Sequence, residues 1–282
     1  MNKEKDIQNE TNSVPLQGLG VSILDKIIAS KTIEVAARKL SMPISTLERA
    51  PAFSRKCLSI KQSLLKSESG IISEFKRKSP SLGWIHEDAD VVDVTAGYSD
   101  AGASGISILT DSEYFGGTLL DLMAARPFIT CPVLRKDFII DEYQIYEAKA
   151  IGADVILLIA AVLTVTDTLK FAHKAHELGL EVLLEVHNAE EIGHANDFVD
   201  MIGVNNRNLK NFEQSIQTSF DLAALIPDKF VKVSESGISK VETVKELRKA
   251  GYHGFLMGEN FMKEENPAEA LKQFIRKLNT AP

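Results

Sequence analysis

Six stretches of the chain put charged, amide or hydroxyl side chains directly behind a short apolar run. They are Glu74, Lys76 and Lys78-Ser79-Pro80-Ser81; Lys136-Asp137; Glu185 and His187; Asn205-Asn206-Arg207; Ser234-Glu235-Ser236-Gly237; and Gly258-Glu259. Lysines set among glutamates are suited to proton transfer and to stabilising a developing oxyanion. Residues two apart in a strand share a face, so Glu74 with Lys76, and Asn205 with Arg207, project as pairs toward one interior. A charged pair there is costly to bury without a partner or a ligand. Gly237 and Gly258 allow close backbone approach to an anion, and with Ser236, Lys76 and Arg207 on the same rim they point to a phosphorylated small molecule. Any one of these residues alone reads equally well as a solvated loop charge or a tight turn; six of eight strand ends together do not.

Such a rim needs elements to hold it. After Leu65, eight short apolar runs alternate with stretches of helical period: Gly70–Phe75, Gly105–Leu109, Pro132–Leu134, Val155–Ile159, Glu181–Val186, Met201–Val204, Phe230–Val233 and Gly254–Met257. Between them Ala89–Ala101, Tyr143–Ile151, Thr166–Leu178, Val241–Ala250 and Ala268–Leu278 read as amphipathic helices. Continuous apolar runs are the mark of parallel strands buried on both faces, and eight βα units close most naturally into a (β/α)8 TIM barrel, an α/β fold whose chemistry sits at the C-terminal strand ends. An open doubly wound sheet would not require eight units, and no GxGxxG follows the first run. The domain boundaries read as a polar arm over 1–20, an N-terminal helical extension over 21–65 and the barrel over 66–282.

Composition narrows the partners. Of 282 residues 44% are hydrophobic and 25% charged, the balance of a globular chain; 32 Lys and Arg against 39 Asp and Glu give a net charge of -7, which argues against nucleic acid and acidic membrane surfaces. The longest apolar run, Val155–Leu163, is half of the ~20 residues a membrane span needs, and the first residues are polar, so a cytoplasmic location is expected. Two cysteines, Cys57 and Cys131, are too few for a disulfide framework and read as free buried thiols. His173 and His176 fall on a helix outside the barrel with no third ligand at metal spacing, so no metal is expected. His187, two residues past Glu185, is ambiguous in the sequence between a functional group and one that simply orients a neighbour.

The ordered blocks resemble one family. Ile72-Ser73-Glu74-Phe75-Lys76-Arg77-Lys78-Ser79-Pro80-Ser81 is similar to the first-strand signature of indole-3-glycerol phosphate synthases. The likeness continues through Leu109-Thr110-Asp111 with Phe115-Gly116-Gly117, Leu134-Arg135-Lys136-Asp137-Phe138, Leu183-Leu184-Glu185-Val186-His187, Gly203 to Leu209, and Ser234-Glu235-Ser236-Gly237-Ile238. It spans roughly Ile23 to Leu278 and includes the helical extension, which in the family helps cover the barrel mouth.

The resemblance implies a metal-free, cofactor-free lyase of tryptophan biosynthesis. It would convert 1-(2-carboxyphenylamino)-1-deoxyribulose 5-phosphate to indole-3-glycerol phosphate, carbon dioxide and water. It further implies Lys136 as the acid of ring closure and Lys76 with Glu185 as the acid-base pair of dehydration, although the family leaves either lysine open for either acid role. Glu74, Asn205 and Glu235 would hold sugar hydroxyls and orient the lysines. Arg207 would meet the substrate carboxylate, Ser79 would help close the first loop, and Phe115, Phe138 and Leu157 would line the aryl pocket. Ser236, Gly237, Gly258 and the N–H of Glu259 would hold the phosphate, which requires the Glu259 carboxylate to point away. The expected partner is this phosphorylated substrate and the expected state a monomer, with a weak homodimer as the alternative. Two competing readings are a phosphoribosylanthranilate isomerase, for which Cys131 lies on the wrong side of its strand, and an inactive metabolite-binding barrel, against which Lys76, Lys136 and Glu185 stand together.

Overall fold

Eight parallel strands close on themselves in the computed structural model, which describes residues 22–208 and 213–280; the arm expected over 1–20 lies outside the described residues. The strands are β1 (Ile71–Phe75), β2 (Gly105–Leu109), β3 (Val133–Lys136), β4 (Val155–Ile159), β5 (Glu181–Val186), β6 (Met201–Asn205), β7 (Val231–Glu235) and β8 (Tyr252–Met257). β1 pairs with β2 on one side and with β8 on the other, so the sheet has no edge. Both faces of the strands are covered, which is why their sequences run apolar without alternation.

The interior is stratified. Ile72, Leu134, Leu157, Leu183, Met201 and Leu256 belong to one apolar cluster inside the barrel. Toward the C-terminal ends, interior positions change to Glu74, Lys136, Glu185, Asn205 and Glu235, with Asn205 level with Glu235 and Leu109 level with Lys136 in the ladder. Packing thus fixes the strands below, while the polar layer above faces open space.

Three helices precede β1: α1 (Ile23–Ser41), α2 (Ile44–Leu47) and α3 (Ile60–Lys66). A capping box starts α1, in which the Ser22 hydroxyl accepts from the Asp25 N–H at 3.1 Å while Asp25 accepts from the Ser22 N–H at 3.0 Å. Its buried residues Ile27, Lys31 and Val35 repeat every four positions along one face. α1 lies at the C-terminal mouth, whereas α3 sends Ile60 and Leu64, each 1% exposed, into the interior cluster from the opposite end.

Several boundaries differ from the sequence expectation. β3 runs through Lys136 and β7 through Glu235, past the end of their apolar runs, because inward positions there face the cavity and need no apolar side chain. Helices Leu119–Ala125 and Gln217–Ala223 went unread, each being seven residues long, too short for the helical period to register. A 3-10 turn, Glu190–His194, stands after β5. The Lys78–Ser81 segment, expected as loop, carries an antiparallel ribbon pairing Lys78 with Trp84 and Ser79 with Gly83. Cys57 and Cys131 are free but half-buried rather than buried, since both lie in connections at the N-terminal end of the barrel. No helix among the described residues is long and apolar enough to cross a membrane.

Candidate active site

A cavity of about 170 Å³ opens at the C-terminal ends of the strands. Its wall contains every residue given a catalytic, substrate-binding or phosphate-binding role in the sequence analysis: Glu74, Lys76, Ser79, Phe115, Lys136, Phe138, Leu157, Glu185, Asn205, Arg207, Glu235, Ser236, Gly237, Gly258 and Glu259; His187 and Asn206 stand outside it. The strands bring together groups separated by up to 185 positions in the chain, each from a strand end or the turn that follows it.

The floor is a compensated set of charges. Lys76 Nζ meets Glu74 Oε1 at 2.7 Å; Lys136 Nζ lies 3.4 Å from Glu185 Oε2 and 3.6 Å from Glu235 Oε2. Asn205 Nδ2 donates to Glu185 Oε1 at 3.0 Å. Burial alone would neutralise Lys136, but the Glu185, Glu235 and Glu74 carboxylates outweigh it and raise its pKa, so the ammonium persists across neutral pH. Burial likewise opposes ionisation of Glu185 and Glu74, yet Lys136 in the first case and Lys76 in the second hold them below their ordinary values.

Glu235 goes the other way. Desolvation dominates, Lys136 offsets only part of it, and the neighbouring Glu185 and Glu74 add repulsion, so its carboxyl is pushed up to about 8. The floor therefore sets two ammonium groups against three acids, of which Glu235 holds its proton most tightly. Neither Glu235 side-chain oxygen makes a hydrogen bond among the described residues, although the residue is only 1% exposed.

Above the floor the cavity has two unlike ends. Phe115 and Phe138 form one, their ring centroids 6.1 Å apart, beside Leu157 and Ile27. At the other, β7 runs into Ser236 and Gly237 with φ of 66° and 73°, and β8 into Gly258 and the short helix Glu259–Met262. A serine in left-handed backbone is strained, and such strain gathers where a backbone is shaped for a ligand. Asn206 secures the turn, its Nδ2 donating to the Glu235 carbonyl at 3.0 Å and the Ser236 carbonyl at 3.1 Å. Arg207 spans the mouth between them: Nη1 donates to Ser81 Oγ at 2.8 Å and Nη2 lies 3.6 Å from Glu259 Oε2. The Glu259 carboxylate is thus turned toward the arginine.

The N-terminal helix is joined to this rim by buried charge. Lys31, with no exposed surface, lies 2.8 Å from Asp111 Oδ2 and 3.0 Å from Asp137 Oδ1. Arg135, on the outer face of β3, takes the other Asp137 oxygen at 2.9 Å and Glu147 at 2.7 Å. Burial opposes ionisation of Asp137, but Arg135 and Lys31 bring its pKa down to about 2. Asp111 caps the turn bearing Phe115, and Asp137 follows Lys136, so α1 braces both the aromatic wall and the central lysine.

Comparison with known proteins settles the lineage. Residues 24–274 match the family described as indole-3-glycerol phosphate synthase. The chain belongs to the indole-3-glycerol phosphate synthase family. An indole-3-glycerol phosphate synthase of Bacteroides thetaiotaomicron is 51% identical over 256 residues, covering 91% of this chain and 98% of that protein. One of Chromobacterium violaceum is 44% identical over 261 residues, 90% and 97% of the two chains. Among solved structures, a mutant tryptophan synthase alpha-subunit from Pyrococcus furiosus superposes with a TM-score of 0.57 at 18% identity over 75% of this chain and 98% of its own. That last likeness speaks to the barrel alone.

Within the indole-3-glycerol phosphate synthase frame, Ile23, Leu24 and Ile27 of α1 line the cavity without having been given a role, and Asp137, noted only as a neighbour of Lys136, lines it too. The signal for the three helix residues was membership of an extension expected at the barrel mouth. Lys31 gave no signal, since a lysine on a helix is an ordinary surface residue until packing places it, and Asn206 stood in a strand-end stretch without a role. No group of three His, Cys, Asp or Glu among the described residues is arranged to hold a metal ion. His173 is exposed beside Glu177, and His176 pairs with Asp200 at 2.9 Å.

Proposed function

We propose that this cavity closes the indole ring of 1-(2-carboxyphenylamino)-1-deoxyribulose 5-phosphate, with loss of carbon dioxide and water. The carrying observation is a buried ammonium, Lys136, set against Glu185 at 3.4 Å and Glu235 at 3.6 Å between an aromatic end and a left-handed backbone turn. An anilino sugar phosphate has those same parts in that order: an aryl ring, a polyhydroxyl chain and a phosphate.

Ring closure requires the aryl carbon that bears the carboxylate to attack the ketose carbonyl. Lys136 stands as a fixed cation for the oxygen that becomes negative, and donates its proton there. Loss of carbon dioxide restores the aromatic ring. Dehydration then uses an acid at the departing hydroxyl, assigned to Lys76, and a base near the anilino nitrogen, assigned to Glu185, whose depressed pKa keeps it unprotonated. Glu235, with both oxygens free of hydrogen bonds among the described residues, is assigned to the sugar hydroxyls, alongside Glu74 and Asn205. Arg207 receives the carboxylate and Ser79 steadies the first loop. The turn at Ser236-Gly237 with Gly258 and the Glu259 N–H holds the phosphate. A monomeric state and a cytoplasmic location belong to the same proposal. Cys131 precedes β3 at the far end of the barrel, which favours ring closure over an isomerase that would need its thiol.

The test is a fluorescence assay for indole-3-glycerol phosphate with synthetic substrate in EDTA. Product is expected at an undiminished rate. Absence of product, or activity only after divalent metal is restored, refutes the reading.

A further inference from the structure

The loop after β5 holds a pair of residues that the ring-closure roles leave unused. Strand alternation carries His187 to the same side as Glu185, and its Nε2 lies 3.3 Å from Glu185 Oε1. The other ring nitrogen, Nδ1, lies 3.0 Å from Glu191 Oε2, which also accepts the His187 backbone N–H at 2.8 Å. Glu191 is itself held: its Oε1 accepts from Asn188 Nδ2 at 2.8 Å, and its N–H donates to Asn188 Oδ1 at 3.0 Å. The turn Glu190–His194 thereby presents a fixed carboxylate to the imidazole. His187 is absent from the cavity wall, so it reaches the chemistry only through Glu185.

We propose that His187, clamped by Glu191, is a positioning residue that holds the Glu185 carboxylate in one rotation and keeps it ionised as the base of dehydration. A ring with a carboxylate beside each nitrogen, at 3.3 and 3.0 Å, is favoured electrostatically as the imidazolium. Burial works against that charge, but Glu185 and Glu191 prevail and hold the imidazole up to about 10. Glu185 Oε1 then accepts from Asn205 and faces His187 Nε2 at 3.3 Å, an ion-pair contact without a hydrogen bond, leaving Oε2 to Lys136. The groups facing Glu185 are Lys136 from β3 and His187 from the loop that follows β5, with Glu235 of β7 and Glu74 of β1 as neighbouring acids. Those facing His187 are Glu185 and Glu191. Removing the imidazolium leaves Lys136 alone against two other acids, so the Glu185 pKa must rise.

The inference rests on the ring-closure reading for the role of Glu185, and the experiment separates the two. In protein labelled with carbon-13 at glutamate, the Glu185 carboxyl signal is followed against pH in wild type, His187→Gln and Glu191→Gln, a measurement that needs no turnover. The expected result is uptake of the Glu185 proton about one pH unit higher in His187→Gln, tenfold in proton affinity, and a smaller shift of the same sign in Glu191→Gln. The acidic limb of the kcat profile is expected to move up with it while KM stays within about twofold. A Glu185 titration unmoved by both substitutions overturns the proposal, as does a fall in kcat with the limb in place. Should His187→Gln fail to fold, Glu191→Gln decides alone. Absence of product from wild type would sink the ring-closure reading, while the carbon-13 titration would still decide whether His187 controls Glu185.

Discussion

Gly203 sits inside β6 facing the cavity floor, and the space a side chain would take is occupied by Glu235. A Cβ built there lies 3.1 Å from Glu235 Cδ and 3.2 Å from Leu183 Cδ1, closer still to Glu235 Oε1, where ordinary contact begins at 3.4 Å. In Gly203→Ala the carboxyl must retreat by about 1 Å, the scale at which a misplaced group costs on the order of 10² in rate. Leu183 is 1% exposed and packed on all sides, so the relief falls on Glu235. Overpacking adds about 1–3 kcal/mol of destabilisation, a fall of several degrees in Tm that leaves a folded protein to assay. Steady-state fluorescence with synthetic substrate is expected to show kcat down about a hundredfold. A second substitution tests the cause: Glu235→Asp shortens the side chain by one methylene, and the double variant Gly203→Ala/Glu235→Asp is expected to recover part of the loss relative to additivity. A folded Gly203→Ala enzyme with kcat within threefold of wild type would refute the claim that Glu235 is held against β6 for catalysis.

Lys136→Ala removes the ammonium that faces three carboxyl groups; kcat is expected to fall by ~10² or more, and urea titration should show a loss of about 3 kcal/mol at pH 7 from the uncompensated acids. Gly237, at φ 73°, admits a valine only with strain, so Gly237→Val is expected to lose affinity for inorganic phosphate in calorimetric titration, while Arg207→Ala keeps it; equal affinity in wild type and a folded valine variant would move the anion site elsewhere. Asp137 is depressed from 3.8 to about 2, so its contribution is fully present above pH 4 and disappears as pH falls through 2; the span is worth about 2 kcal/mol, and urea midpoints between pH 4 and 2 should slope less in Asp137→Asn.

The barrel was legible because its strands are buried on both faces, which writes them as uninterrupted apolar runs. The reading failed where that logic lapses. Lys136 and Glu235 are strand residues whose side chains face the cavity, and a reading that ends a strand where two polar residues follow in succession cuts them off. The seven-residue helices Leu119–Ala125 and Gln217–Ala223 bury only two and three residues, too few to print a period. α3 escaped for a different reason: Ile60 and Leu64 belong to the barrel interior although they precede the barrel in sequence, and no local pattern announces a plug.

The candidate site was more legible than the elements that support it, and the two facts have one cause. A candidate for meeting a substrate is an unusual residue type in an unusual place, as Glu74, Lys76 and Glu185 are among aliphatic strands. A residue that holds another in place need only have a partner, and the partner is visible only in three dimensions. Lys31 is an unremarkable helix lysine until Asp111 and Asp137 close on it at 2.8 and 3.0 Å; His187 is ambiguous until Glu191 fixes its far nitrogen. Lys31 bears on Asp137, the chain neighbour of Lys136, and His187 bears directly on Glu185. The charge of Glu185 therefore depends on a residue outside the cavity, and substitution of His187 should register in the pH dependence of turnover more than in substrate binding.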